Sequence, residues 1–81
     1  MRPHITPQFE RDYQRAPVRV QRAFDKQLKF LLQNIRHPSL HAKKYDEARD
    51  VWQARVTGGW RFYFSIEGDT YVLHSIKAHP K

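Results

Sequence analysis

Cysteine is missing from the chain, which excludes disulfide staples and thiolate zinc sites. Long apolar runs are missing as well, and Met1-Arg2-Pro3-His4 lacks the apolar centre of a signal peptide. The expectation is therefore a soluble cytoplasmic protein with no membrane partner. Acidic residues are scarce, 8 Asp and Glu against 15 Lys and Arg. Glu10, Asp12, Asp46, Glu47 and Asp50 have no spacing that builds an oxygen cage. His37 and His41 are four apart, but Pro38 lies between them and no acidic ligand is adjacent, which makes a zinc pair improbable. Gly58-Gly59 is followed by no helix and reads as a turn, so no phosphate loop, metal or cofactor is expected.

What remains is a strongly basic chain of 81 residues with formal charge +7, sized for one domain (1–81) around a single modest core. Two Trp, four Tyr and five Phe supply much of that core. The charge favours polyanions, nucleic acid first, an acidic protein second and an anionic membrane third. A merely solubilising surface is the competing reading.

The second half carries the clearest pattern. Aromatic and β-branched residues alternate through Val51–Val56, Trp60–Ile66 and Tyr71–His79, separated by turns at Thr57-Gly58-Gly59 and Glu67-Gly68-Asp69-Thr70. Two consecutive hairpins result. A three-residue first loop pairs Val56 with Trp60, Ala54 with Phe62 and Trp52 with Phe64, keeping apolar residues on one face, with Gly59 in the left-handed position. That register sets Arg55 opposite Arg61 on the other face. Two cations so placed repel by a few tenths to about 1 kcal/mol, and an anion between them removes the penalty.

The first half reads as helices. Ile5-Thr6 ends a short strand, Thr6 caps a helix begun by Pro7, and Phe9, Tyr13 and Ala16 come next at helical spacing. After Pro17, Val20, Phe24, Leu28, Leu31 and Ile35 form an apolar stripe, widened by Ala23 and Leu32, that His37-Pro38 stops. The opposite side carries Arg19, Arg22, Lys26, Lys29 and Arg36, either a solvated face or a ridge that tracks phosphates. A strand is expected around His41 to Tyr45, then a polar connection over Asp46–Asp50. The fold class is α+β, with two helices on one face of a small antiparallel sheet and the other face left to solvent or ligand.

On the uncovered face the pattern puts Arg55, Arg61 and Tyr63, with Lys43 or Lys44 arriving from the neighbouring strand and Lys77 close to Arg61. His79 lies about 7 Å further along. A two-residue Gly68-Asp69 loop puts His79 on the core side, while a one-residue shift puts it beside Arg61, so periodicity leaves its side open. His74, alternating with Val72 and Ile76, reads as a packed strand histidine. Such a set suits metal-free phosphoryl chemistry. Cleaving RNA through its own 2′-hydroxyl needs a base, an acid for the departing 5′-oxygen, and cations for the charge growing on phosphorus. His79 would be the acid or base, Arg61 the clamp, and Arg55 with Lys44 its support.

The order of elements, the Pro38-x-Leu40-x-x-Lys43-Lys44 approach, and Trp52-x-x-Arg55-Val56 followed by Trp60-Arg61 resemble the RelE/ParE superfamily of type II toxin-antitoxin toxins, above all the RelE and YoeB type. The resemblance implies a ribosome-dependent endoribonuclease that cuts mRNA in the decoding site, in contact with 16S rRNA, and is held inactive in a complex with an antitoxin. By position, Arg61 matches the family arginine on the scissile phosphate, His79 the histidine near the C-terminus, Lys44 and Lys43 the basic residues before the tryptophan strand, and Arg55 a common strand arginine. Pro80 replaces the tyrosine that comes after the histidine in YoeB-like toxins, and Asp46 and Glu47 match the acidic base only loosely. A ParE-like gyrase inhibitor or a non-catalytic basic binding module on the same scaffold are the other readings.

Overall fold

The structure, a computed structural model, describes residues 1–79. It is built from β1 (Arg2–Ile5), α1 (Pro7–Arg15), α2 (Val18–Gln33), a 3-10 turn (Pro38–Leu40), β2 (Lys43–Asp46), β3 (Val51–Thr57), β4 (Trp60–Glu67) and β5 (Thr70–Ala78). The five strands form one sheet in the order β1-β5-β4-β3-β2. Neighbours pair antiparallel except β1, which runs parallel to β5 with Ile5 opposite Leu73. The expected α+β architecture is what forms, with both helices on one face.

Local chemistry fixes the helix ends. The Thr6 hydroxyl accepts the Phe9 N–H at 3.2 Å as a helix cap and donates to the Leu73 carbonyl at 2.7 Å, tying the start of α1 to β5. Pro7 occupies the first turn, where its missing N–H costs nothing. Further along α1, Asp12 accepts the Ile76 N–H at 3.2 Å, beyond the point where β1 stops pairing with β5. α2 ends at Gln33 with Asn34 as its cap, earlier than the stripe suggests. The Asn34 side chain accepts the Arg36 N–H at 2.9 Å, and His37 then caps the 3-10 turn through its Nδ1 while stacking on Phe30 at 3.9 Å. These local bonds compete with another helical turn.

The core lies between the helices and the sheet. Phe9, Val20, Phe24, Leu31, Leu40, Ala54, Phe62, Phe64, Leu73 and Ile76 are buried there. Phe24 is central, 4.9 Å from the Phe9 ring and 5.1 Å from Phe62, both in the tilted or edge arrangement that aromatic quadrupoles favour. One core position of α2 is polar. Gln27 is buried, and its Nε2 donates to the carbonyls of Ser39 and Arg55, both at 2.9 Å, while its Oε1 accepts the Ser39 hydroxyl at 2.8 Å.

Three β-bulges set which side chains reach the open face. In β3 the pairs Trp52–Phe64, Ala54–Phe62 and Arg55–Arg61 form as expected, but Thr57, not Val56, pairs with Trp60, and Val56 is the extra residue. The loop is therefore two residues long, and Gly59 is not left-handed; the positive-φ glycine is Gly68 in the second turn. In β5, Phe64 pairs with Leu73 and Tyr63 with Ser75, leaving His74 unpaired. In β2, Lys44 pairs with Trp52 and Asp46 with Val51, leaving Tyr45 over. Each bulge shifts the alternation by one residue and turns the later side chains of its strand to the other face.

Candidate functional site

The open face has a cationic end. Arg55 and Arg61 stand directly opposite each other, and Lys77 is opposite Arg61 on the far side. A groove of about 670 Å³ runs across them, lined by His41, Lys43, Gln53, Arg55, Arg61 and His79 among others. No Asp or Glu lines it.

The two arginines are held differently. Nη1 of Arg61 donates to the carbonyls of Thr57 at 2.7 Å, Trp60 at 3.0 Å and Gly58 at 3.3 Å, so one arm of the guanidinium braces its own hairpin. Arg55 is half-buried, and its Nε is buried with no hydrogen-bond partner among the described residues. Neither forms an ion pair there; the described salt bridges are Arg2–Asp69, Lys44–Asp50 and Arg49–Asp46. An orphaned buried donor costs about 1–3 kcal/mol and more when charged. The sequence reading makes Arg61 the clamp and Arg55 its support, whereas the geometry leaves Arg55 with the freer fork.

The lysines also separate. Lys43 pairs with Gln53, on the face of the arginines. Lys44 pairs with Trp52, which stacks on Phe64 on the helix side; its ammonium lies 5.3 Å from the Trp52 ring centre and is bonded to Asp50. The Asp50 hydrogen bond raises the Lys44 pKa. Both lysines line the groove, Lys43 from the face of the arginines and Lys44 with its ammonium held by Asp50. Lys26 and Lys29 are exposed on α2, across the core from the groove, and are not brought together with the arginines.

His79 comes to the open face. The His74 bulge resolves the two registers: Phe64 pairs with Leu73 and Arg61 with Lys77, and the His79 N–H donates to the Gly59 carbonyl at 2.7 Å. The same bulge corrects the reading of His74. It is half-buried on the open face, with Nε2 2.9 Å from the Ser65 hydroxyl, rather than packed in the core. A second groove of about 600 Å³ shares Tyr45 with the first and is lined also by Tyr63, Ser65, His74 and Lys77, with the carboxylates of Asp46 and Glu67. The Tyr45 and Tyr63 rings meet edge to face at 4.9 Å. Burial raises the Tyr63 pKa, Tyr45 adds to this and Arg61 opposes it, so the phenol stays protonated near neutrality.

Sequence reasoning misses two participants, Gln27 and His41. Gln27 falls within the helical stripe at a position flanked by Phe24 and Leu31, so a polar residue at a core spacing is the available signal. His41 figures in the sequence only as a zinc partner for His37.

This helix pair on one face of a five-stranded β1-β5-β4-β3-β2 sheet matches the fold of RelE/YoeB toxins. The chain is similar to the YoeB/ParE toxin from Agrobacterium tumefaciens, with TM-score 0.81 and 16% identity over 99% of this chain and 100% of that one. It is similar also to a chain of the heterotetrameric YoeB-YefM toxin-antitoxin complex from Staphylococcus aureus (TM-score 0.77, 17% identity, 96% and 95% covered). A chain of the RelBE2 toxin-antitoxin complex from Mycobacterium tuberculosis gives TM-score 0.74 at 20% identity, with 95% of each covered. No protein-family model and no curated protein matches the sequence. At these identities the shared property is the fold.

Proposed function

We propose that this chain is the toxin of a type II toxin-antitoxin pair and that it acts as a metal-independent endoribonuclease on mRNA held in the ribosome. The observation that carries the reading is the Arg55–Arg61 pair: the two arginines stand opposite each other in the register of the open face, one with a buried donor lacking any partner among the described residues, and among those residues no carboxylate lines their groove. A phosphodiester in the groove would remove the repulsion between the two cations.

The chemistry rests on that placement. The 2′-oxygen attacks phosphorus, its proton passes to a base, the bond from phosphorus to the 5′-oxygen breaks, and that oxygen takes a proton from an acid. The arginines and Lys43 stabilise the negative charge on the non-bridging oxygens at the transition state. His79, in the same groove, carries one of the two protons. The solved relatives include toxin-antitoxin complexes, which supports an antitoxin partner for this chain, and a cytoplasmic site of action is part of the reading.

The carboxylate-free groove favours one rival, a ParE-like inhibitor of DNA gyrase that performs no cleavage. Inducing the chain in bacteria and following translation, mRNA ends and DNA breaks separately decides between them. Translation arrest with codon-spaced mRNA ends is expected; DNA breaks with intact mRNA would replace the nuclease reading with gyrase inhibition.

A further inference from the structure

Transesterification of RNA moves two protons, and His79 accounts for one. The groove around the arginines contains a second imidazole. His41 lines the same groove as His79, and it is exposed. It stands two residues before β2, whose first residue Lys43 pairs with Gln53, and it lines the groove together with Arg55 and Arg61. Arg55 is opposite Arg61, Arg61 is opposite Lys77, and His79 comes two residues later on the β5 side. The two histidines therefore flank the guanidinium pair, His41 from the β2 side and His79 from the β5 side.

The backbone holds His41 in an uncommon conformation. Its φ is +47°, in the left-handed region, directly after the 3-10 turn. Glycine would adopt this conformation without steric cost, and strained non-glycine residues gather at functional sites. The groups around His41 are the cations Lys43, Lys44, Arg55 and Arg61, the Tyr45 phenol and the imidazole of His79 on the sheet side. On the helix side they are Arg36 and His37. His37 Nδ1 is already used as the cap of the 3-10 turn. Among the described residues none of these is a carboxylate, and His41 and His79 are the two imidazoles that line the groove.

We propose that His41 is the second catalytic residue: His41 and His79 form an acid-base pair across the scissile phosphate, one taking the proton of the attacking 2′-hydroxyl and the other giving a proton to the departing 5′-oxygen. The inference rests on the nuclease reading and assigns its second proton transfer. Both imidazoles finish the step with exchanged protonation, and water resets them. No metal or redox partner enters the balance.

The test uses the full chain with ribosomes programmed by a defined mRNA, measuring single-turnover cleavage against pH for the wild type, His41→Gly, His41→Asn and His79→Ala. His41→Gly removes the imidazole while relieving the backbone, so a folded, equally or more stable protein is expected whose rate is at least a hundredfold lower, the usual range for a lost general acid or base. His41→Asn keeps a residue that tolerates left-handed φ and is expected to be equally slow. The wild-type profile is expected to be bell-shaped, with each histidine variant losing one limb and the two variants losing opposite limbs. A folded His41→Gly protein that cleaves within threefold of wild type, or that keeps both limbs, overturns the inference while leaving the nuclease reading standing. A wild-type protein that cuts no mRNA overturns both.

Discussion

Gln27 on α2 donates a 2.9 Å hydrogen bond to the main-chain carbonyl of Arg55, at the residue where the β3 bulge begins. The bond links the helix layer through a single amide to the strand position that presents Arg55 on the open face. It also fixes the backbone from which the Arg55 side chain projects, and the second Nε2 bond to Ser39 anchors the 3-10 turn that leads to His41.

Gln27→Leu preserves volume but strips partners from the Arg55 and Ser39 carbonyls and the Ser39 hydroxyl. Leaving buried acceptors unpaired costs about 1–3 kcal/mol, and the same range is expected as a drop in unfolding free energy in urea with the m-value unchanged. If Gln27→Leu is as stable as wild type, the amide is not what holds the bulge.

The two arginines are expected to separate in a stability assay. Arg61→Ala removes three bonds to the hairpin carbonyls and is expected to cost about 1 kcal/mol. Arg55→Ala removes an unpartnered donor and a like-charge neighbour, so stability is expected to hold or rise by a few tenths of a kcal/mol. Equal destabilisation by both would mean that Arg55 has a structural partner.

Sulfate or phosphate is expected to stabilise the protein through the same pair. At a hundredfold excess over Kd, binding to the folded state alone contributes about 2.7 kcal/mol, several degrees in Tm for a domain this small. The shift is expected to vanish in Arg55→Ala; an undiminished shift would place the anion elsewhere on the basic surface.

Lys43 and Lys44 differ in the face they serve. Lys43→Ala is expected to slow mRNA cleavage about tenfold or more, the scale of one lost hydrogen bond to a charged group. Lys44→Ala is expected to change the rate less, because its ammonium is already engaged by Asp50 and the Trp52 ring. The reverse order of effects would contradict the register of β2.

Much of this arrangement is legible from period-two alternation. The pairs Trp52–Phe64, Ala54–Phe62 and Arg55–Arg61 come from keeping apolar residues on one side, and the caps at Thr6 and Pro7 from side-chain chemistry. Hidden from the pattern is every place where a bulge breaks the count. Val56 slips past Trp60 because the bulge, and not a left-handed Gly59, absorbs the extra residue. His74 and His79 reach the open face because one residue of β5 is unpaired, and Tyr45 plays the same part beyond Lys44. Alternation reports which residues share a face only between bulges. Gln27 escapes for a different reason: a polar side chain in an apolar stripe declares its partners only when the carbonyls of Ser39 and Arg55 are placed beside it.

The most direct test of the guanidinium pair is to map mRNA ends after adding purified protein to a reconstituted translation reaction, for wild type, Arg55→Ala and Arg61→Ala. Cuts within the codon in the decoding site are expected from wild type, with each variant at least a hundredfold slower, the scale of a lost transition-state donor, and Arg55→Ala still fully folded. Intact mRNA with the wild-type protein, or cuts that persist at the wild-type rate without Arg55, would contradict the account.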